Sequence, residues 1–108
     1  RLARHPEVAA RLDAELATLG PGTDFDFESL MGLRYLQAVL KETLRLYPPV
    51  WLFSRRAVAA DRLGDFAIPA GAHIFISPFL VHRRPHLWPD PECFDPGRFL
   101  APGADEAD

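Results

Sequence analysis

Leu33-Arg34-Tyr35-Leu36-Gln37-Ala38-Val39-Leu40-Lys41-Glu42-Thr43-Leu44-Arg45-Leu46-Tyr47-Pro48-Pro49 reads as a helix followed by its own stop signal. Leu33, Leu36, Leu40, Leu44 and Tyr47 mark one stripe, and Tyr35, Val39 and Leu46 widen it. Apolar residues on nearly every side predict a buried helix. Proline lacks the next helical donor and forces its predecessor into extended backbone, so the helix should end at Tyr47-Pro48-Pro49. Inside this run lie Glu42 and Arg45, at neighbouring positions of one helix face. Pairs at that spacing are commonly solvated and contribute little. Here the surroundings are apolar, and buried charges are costly unless paired and fully hydrogen-bonded. The pair is therefore expected to anchor something else, a further Arg or a bound polar group. Further along, Phe94-Asp95-Pro96-Gly97-Arg98-Phe99 sets one Arg between aromatics in a proline-rich loop.

Working outward, His5-Pro6 predicts the start of an earlier helix, since proline suits the first helical position. Val8, Leu12, Leu16 and Leu19 form its apolar stripe, and Glu7 with Arg11 makes an i,i+4 pair on the exposed side. Gly20-Pro21-Gly22 ends it, and Thr23 to Glu28 reads as a polar loop leading into a short turn. After Pro49 the pattern becomes extended. Val50 to Ser54 is apolar and β-prone. Phe66 to Ile68 and Ala72 to Ser77 read as two strands joined by Ile68-Pro69-Ala70-Gly71, where Pro second and Gly fourth favour a type I turn. His82 to Leu87 has room for one helical turn. Five prolines between Pro85 and Pro102 predict an irregular, packed loop.

The fold class is α+β, mainly helical. The expected organisation is a single partial domain over 1–108. It comprises a helix at 5–20, the central helix at 30–47, short strands within 50–80, a Pro-rich loop at 82–102 and a loose tail at 103–108. The central helix is apolar on more sides than one short hairpin can cover, so a further partner layer is expected.

Composition narrows the function classes. The chain has 108 residues, 48% of them hydrophobic, and a net charge of −3, which reads as soluble and globular. The mildly acidic balance speaks against nucleic acid, since Arg55-Arg56 and Arg83-Arg84 are too short to form a basic tract. No apolar stretch is long enough to span a membrane, and no signal peptide is visible. Cys93 is the single cysteine, which excludes an internal disulfide and fits a reducing, cytoplasmic compartment. Eleven of the twelve basic residues are Arg, a bias that suggests a GC-rich bacterial genome. His82, His86 and Cys93 loosely match zinc-ligand spacing, but Pro85 interrupts any helix that would align the two imidazoles and a fourth ligand is not evident. Surface or packing histidines are the simpler reading. No nucleophile–base arrangement, P-loop or G-x-G-x-x-G points to another enzyme class.

Together these residues resemble the cytochrome P-450 family, the haem-thiolate monooxygenases. Lys41-Glu42-Thr43-Leu44-Arg45-Leu46-Tyr47-Pro48-Pro49 looks like that family's E-x-x-R helix and the proline turn after it. Pro96-Gly97-Arg98-Phe99 looks like its P-E-R-F loop, with Gly97 in place of the usual Glu. Arg55-Arg56-Ala57, Ile68-Pro69-Ala70-Gly71 and His82-Arg83 fall in the family's order and at its spacing, and His5-Pro6-Glu7-Val8 matches the start of the preceding helix. Each motif is weak alone; five in order, covering nearly the whole chain, are specific. The resemblance implies that Glu42, Arg45 and Arg98 form a salt-bridged triad holding the loop that positions the haem. It implies that Arg55 contacts a haem propionate by a charge-assisted bond. It also implies that Val50, Trp51, Leu52 and Phe53 line a substrate pocket, whose apolar character suits a hydrophobic substrate. For Trp51 and Phe53 ordinary core packing is the competing reading.

The implied activity is insertion of one oxygen atom from dioxygen into an organic substrate, with electrons from a ferredoxin or flavin reductase type of partner. The family's iron ligand is a cysteine in the loop F-x-x-G-x-R-x-C-x-G, which follows the P-E-R-F loop; this chain ends before it. Cys93 precedes Arg98 and has no glycine pattern around it, so it reads as a free structural thiol. The oxygen-activating helix, with its acidic-Thr pair, would lie before Arg1. The resemblance thus implies an internal fragment, roughly a quarter of a family member, without a catalytic residue or metal ligand of its own. The haem iron ligand is expected outside this chain. The competing reading is a non-catalytic remnant or interaction module that binds no haem.

Overall fold

The computed structural model describes residues 2–20 and 26–100. Residues 23–25 of the expected polar loop and the tail at 103–108 lie outside the described residues; Phe27 and Glu28, expected in that loop, are helical. Helices and two small antiparallel sheets make the architecture α+β. A 3-10 turn, Leu2–Arg4, precedes α1 (Pro6–Ala17), α2 (Phe27–Met31) and α3 (Arg34–Leu46). Then come β1 (Phe53–Arg56), β2 (Asp61–Leu63), β3 (Phe66–Ile68), β4 (His73–Ile76), α4 (Pro78–Val81) and a second 3-10 turn, Pro96–Phe99. The chain divides into two compact units: a helical one, Arg1–Leu44 with Cys93–Asp108, and a β-containing one, Arg45–Glu92.

In the helical unit, Pro6 opens α1, which buries Val8 and Leu12. Leu16, placed by periodicity in the same stripe, is exposed. The Arg11 guanidinium lies 4.2 Å from the centroid of the Tyr35 ring, a cation–π contact between α1 and α3. Asp26 caps α2 by accepting from the Ser29 amide at 2.7 Å, and the Ser29 hydroxyl bonds the same oxygen. These two bonds, the hydroxyl's first, hold the Asp26 carboxyl below the usual carboxylate range.

The buried side of α3 is not the leucine stripe. Tyr35, Ala38, Val39 and Glu42 are buried, at the i, i+3, i+4, i+7 spacing of one face. Leu40 and Leu44 are 53% and 54% exposed. The helix is apolar on two sides, and the described residues cover the side that carries Glu42.

In the β-containing unit, β1 pairs antiparallel with β4, in register from Phe53↔Ile76 to Arg56↔His73. β2 pairs antiparallel with β3. The two strands expected to be joined as neighbours, β3 and β4, therefore belong to different sheets. The turn between them explains this. The Ala72 amide donates to the Pro69 carbonyl at 3.1 Å, so the turn begins at Pro69, one residue later than expected. That places Gly71 third, with φ +81°, the requirement of a type II rather than a type I turn. Gly71 and Ala72 then bond Ala57, tying the turn to the end of β1. Within the expected helical turn at 82–87, the Leu87 and Trp88 amides donate to the Arg84 carbonyl at 3.0 and 2.9 Å; α4 precedes it, where Ser77 caps the helix and Pro78 occupies its first position. No described helix is long and apolar enough to cross a membrane.

Candidate functional site

Glu42 is fully buried on α3. Its Oε1 accepts two bonds from the loop after Cys93: the Asp95 amide donates at 2.8 Å and Arg98 Nε at 3.1 Å. Arg98 also donates to the Cys93 carbonyl at 3.5 Å. The buried carboxylate thus has both a counter-charge and a backbone donor, the condition under which burial of an ion is tolerated. The loop is shaped to reach it. Asp95 turns its side chain onto the Gly97 amide at 2.8 Å and so caps the 3-10 turn that carries Arg98. A Cβ on Gly97 would come 2.8 Å from that same carboxylate oxygen. That oxygen is the far end of the Asp95 side chain, which would have to shift to admit a Cβ.

Arg45 is 2% exposed and grips a different segment. Its Nη1 donates to the carbonyls of His82 at 2.8 Å and Pro91 at 2.7 Å, with the Trp88 ring centroid 5.3 Å from the guanidinium. The segment grips back. His82 Nδ1 lies 3.1 Å from the Arg45 carbonyl, and Arg83 donates to the Leu46 carbonyl at 2.7 Å. These are two of the last carbonyls of α3, which lack intrahelical donors and attract cations. Arg83 also pairs with Glu92 at 3.1 Å and stacks over Phe79 at 3.8 Å. The role of His82 and Arg83 as a cap on α3 is not visible in the sequence, where His82 reads as a surface or packing histidine and His82-Arg83 as one step in the family's order. The signal is non-local: basic side chains far along the chain meet a helix that ends without a capping glycine.

The remaining predicted residues lie on or before β1. Arg55 is exposed; it donates to the Ser54 carbonyl at 3.3 Å and its guanidinium lies 5.1 Å from the Phe53 ring centroid. Successive side chains of a strand point to opposite faces. Arg55 therefore shares its face with Phe53, and Arg56 shares the other with Ser54. Val50, Trp51 and Leu52 are exposed, and Phe53 is half-buried. The Trp51 carbonyl accepts from the Ser77 hydroxyl at 2.9 Å.

Among the described residues no three His, Cys, Asp or Glu side chains are grouped to hold a metal ion. Cys93 is exposed and forms no disulfide. The exposed guanidinium of Arg55 is of a chemistry that can meet an anionic group.

The family model for cytochrome P-450 matches residues 1–106. The chain is 43% identical over 107 residues to cyclooctat-9-en-7-ol 5-monooxygenase of Streptomyces melanosporofaciens, covering 99% of this chain and 23% of that protein. It is 39% identical over 105 residues to cyclooctatin synthase of the same organism, covering 97% and 23%. It is 42% identical over 101 residues to ferruginol synthase of Salvia miltiorrhiza, covering 92% and 20%. The chain therefore spans less than a quarter of the length of these curated relatives. A match along nearly all of its residues decides its kinship: the chain belongs to the cytochrome P-450 family.

Proposed function

We propose that this chain is a segment of a haem-dependent monooxygenase that acts on a hydrophobic organic substrate, and that the segment alone is not catalytically competent. The observation that carries this is Glu42, fully buried and bound to both Asp95 and Arg98. Haem, when bound, supplies the oxygen-insertion chemistry, with dioxygen and electrons from a ferredoxin or flavin reductase type of partner. The chain's own residues do other work. Glu42, Arg45 and Arg98 act as the triad that keeps the loops around 82–91 and 93–99 in place. Arg55 offers guanidinium donors to a propionate. Val50, Trp51, Leu52 and Phe53 supply apolar wall, which binds substrate by excluding water at roughly 25 cal/mol per Å². The iron ligand comes from outside this chain. In this reading the elements are one part of the family's fold. The Arg-rich basic set and the single thiol support a bacterial, cytoplasmic protein.

The test is a segment exchange. This chain replaces the matching segment of cyclooctat-9-en-7-ol 5-monooxygenase, and the chimera is reduced under carbon monoxide. A red-shifted Soret band typical of thiolate ligation is expected from the chimera and not from the chain alone. A folded chimera without haem would sink the reading, and a thiolate-type spectrum from the chain alone would sink the external ligand. Within the chimera, Arg55→Ala removes one charge-assisted bond, about 1.5–3 kcal/mol. It should weaken haem retention by roughly tenfold or more. Arg56→Ala, on the opposite face of β1, should not. The reverse result would move the propionate contact to Arg56.

A further inference from the structure

The first turn of α3 is held by a residue from another helix. The first four amides of a helix have no intrahelical acceptor. With Leu33 just before α3, these belong to Leu33, Arg34, Tyr35 and Leu36. Leu33 donates to the Leu30 carbonyl at 3.2 Å and Arg34 to the Gly32 carbonyl at 3.0 Å. The residue just before the helix is Leu33, whose side chain has no acceptor to offer the other two. Glu15 of α1 takes both: Tyr35 donates to its Oε1 and Leu36 to its Oε2, each at 2.8 Å. The carboxylate also sits at the positive end of the α3 dipole, where negative charge is favoured. Glu15 follows the buried Leu12 by three residues and Arg11 by four, and Arg11 covers the Tyr35 ring. Two residues of α1 therefore grip one turn of α3, Arg11 on the ring of Tyr35 and Glu15 on its backbone.

We propose that Glu15 is a positioning residue, fixing the register of α3 on α1 and so aiming Glu42 at the loop of Asp95 and Arg98. Tyr35 and Glu42 are two turns apart on one face, about 10 Å along the axis. Both are buried, at 7% and 0% exposure, and the helix between them is continuous. The bonds from Asp95 and Arg98 to Glu42, at 2.8 and 3.1 Å, tolerate only a few tenths of an ångström before they weaken. A slide or rotation of α3 on α1 would be felt there first. The inference rests on reading Glu42 as the clamp of that loop. It does not depend on haem.

Amide hydrogen exchange on the full 108-residue chain tests it, read by NMR at Tyr35, Leu36 and Asp95, with Leu12 in α1 as the control. All three test amides should be protected in the unaltered chain. Glu15→Ala should speed exchange at Tyr35 and Leu36 about tenfold, the equivalent of about 1.4 kcal/mol. Asp95 should speed up in the same variant, by roughly threefold, while Leu12 does not change. Glu15→Gln keeps a carbonyl acceptor and should return Asp95 to its original rate, with one of the two α3 amides still protected. If Tyr35 and Leu36 speed up while Asp95 stays unchanged, Glu15 is only a cap and the inference falls. It falls equally if all four amides speed up by one factor, which is general loosening, or if the test amides are unprotected from the start. None of these readouts requires haem, so a chimera that fails to load haem leaves the result standing.

Discussion

The helical unit and the β-containing unit are built on different principles. Val8, Leu12, Leu33, Tyr35, Ala38, Val39 and Phe94 are buried in the first; among the described residues, Leu46 is the only buried hydrophobic residue in the second. The β-containing unit instead exposes Trp51, Val58, Leu63, Phe66, Phe75 and Leu80, each by more than 60%. Its two sheets have two strands each, an arrangement that is marginal without a covering layer. What fixes its end segment is polar: Arg45 and Arg83 on backbone carbonyls, His82 beside another. Apolar burial holds the helical unit, and a hydrogen-bonded clasp holds part of the other. The pocket-wall role we propose would draw on that exposed apolar surface, because surface committed to an internal core cannot also meet a substrate.

The sharpest way to break this comparison is to remove each of the two buried charges of α3 in turn. Glu42→Ala takes the acceptor from Arg98 Nε and from the Asp95 amide, both partly buried around a fully buried carboxylate. Breaking a buried ionic network by one member costs about 3–5 kcal/mol, a large part of ordinary domain stability. Denaturant midpoints should fall accordingly, with loss of protection at Asp95. Arg45→Ala leaves the His82 and Pro91 carbonyls short of a donor, at about 1–3 kcal/mol for each unsatisfied group. It should release residues 82–91 while the Asp95 amide stays protected. Equal loss at both sites in both variants would mean that the two grips are not separable.

How much of this was legible follows from distance along the chain. The end of α3 was, because Pro48-Pro49 acts on its immediate neighbours. The Glu42–Arg98 bond spans 56 residues, and no spacing rule reaches that far; only the likeness to a family brought the two residues together. The buried side of α3 was not legible, since leucines on one side and Tyr35, Ala38 and Val39 on another give the helix two apolar faces. β2 was missed because Asp61-Arg62-Leu63 has no alternation and forms by pairing with β3. The Glu15 contact did leave a trace: a helix preceded by Leu33, with no capping side chain, must find its acceptor elsewhere.

A smaller effect is expected at Gly97, where the helical unit depends on a close approach rather than on a charge. A Cβ there would displace the Asp95 carboxylate from the Gly97 amide. Losing such a cap costs about 1 kcal/mol. Gly97→Ala should therefore lower the denaturant midpoint modestly. Gly97→Glu, the usual residue of the family loop, should add a second carboxylate beside Asp95 and cost at least as much. An unchanged midpoint in both would show that the Asp95 cap does not hold the turn.

The smallest effect belongs to α2, the element of the helical unit that most resembles the other unit. Its five residues bury nothing, so its order depends on the cap at Asp26. The Ser29 hydroxyl and amide hold that carboxyl below the usual carboxylate range. A carboxyl whose folded value is lowered contributes stability that is complete above its unfolded value and is lost as pH falls through the folded one. The Ser29 amide resonance should therefore hold steady while ordinary exposed carboxylates titrate, and shift only at lower pH. The Val39 amide, in the buried interior of α3, should not follow it. Asp26→Asn keeps an acceptor and should retain the cap while abolishing the pH response; Asp26→Ala should lose both. If Ser29 instead shifts in step with the exposed carboxylates, the cap is not what orders α2, and this part of the helical unit has another source of stability.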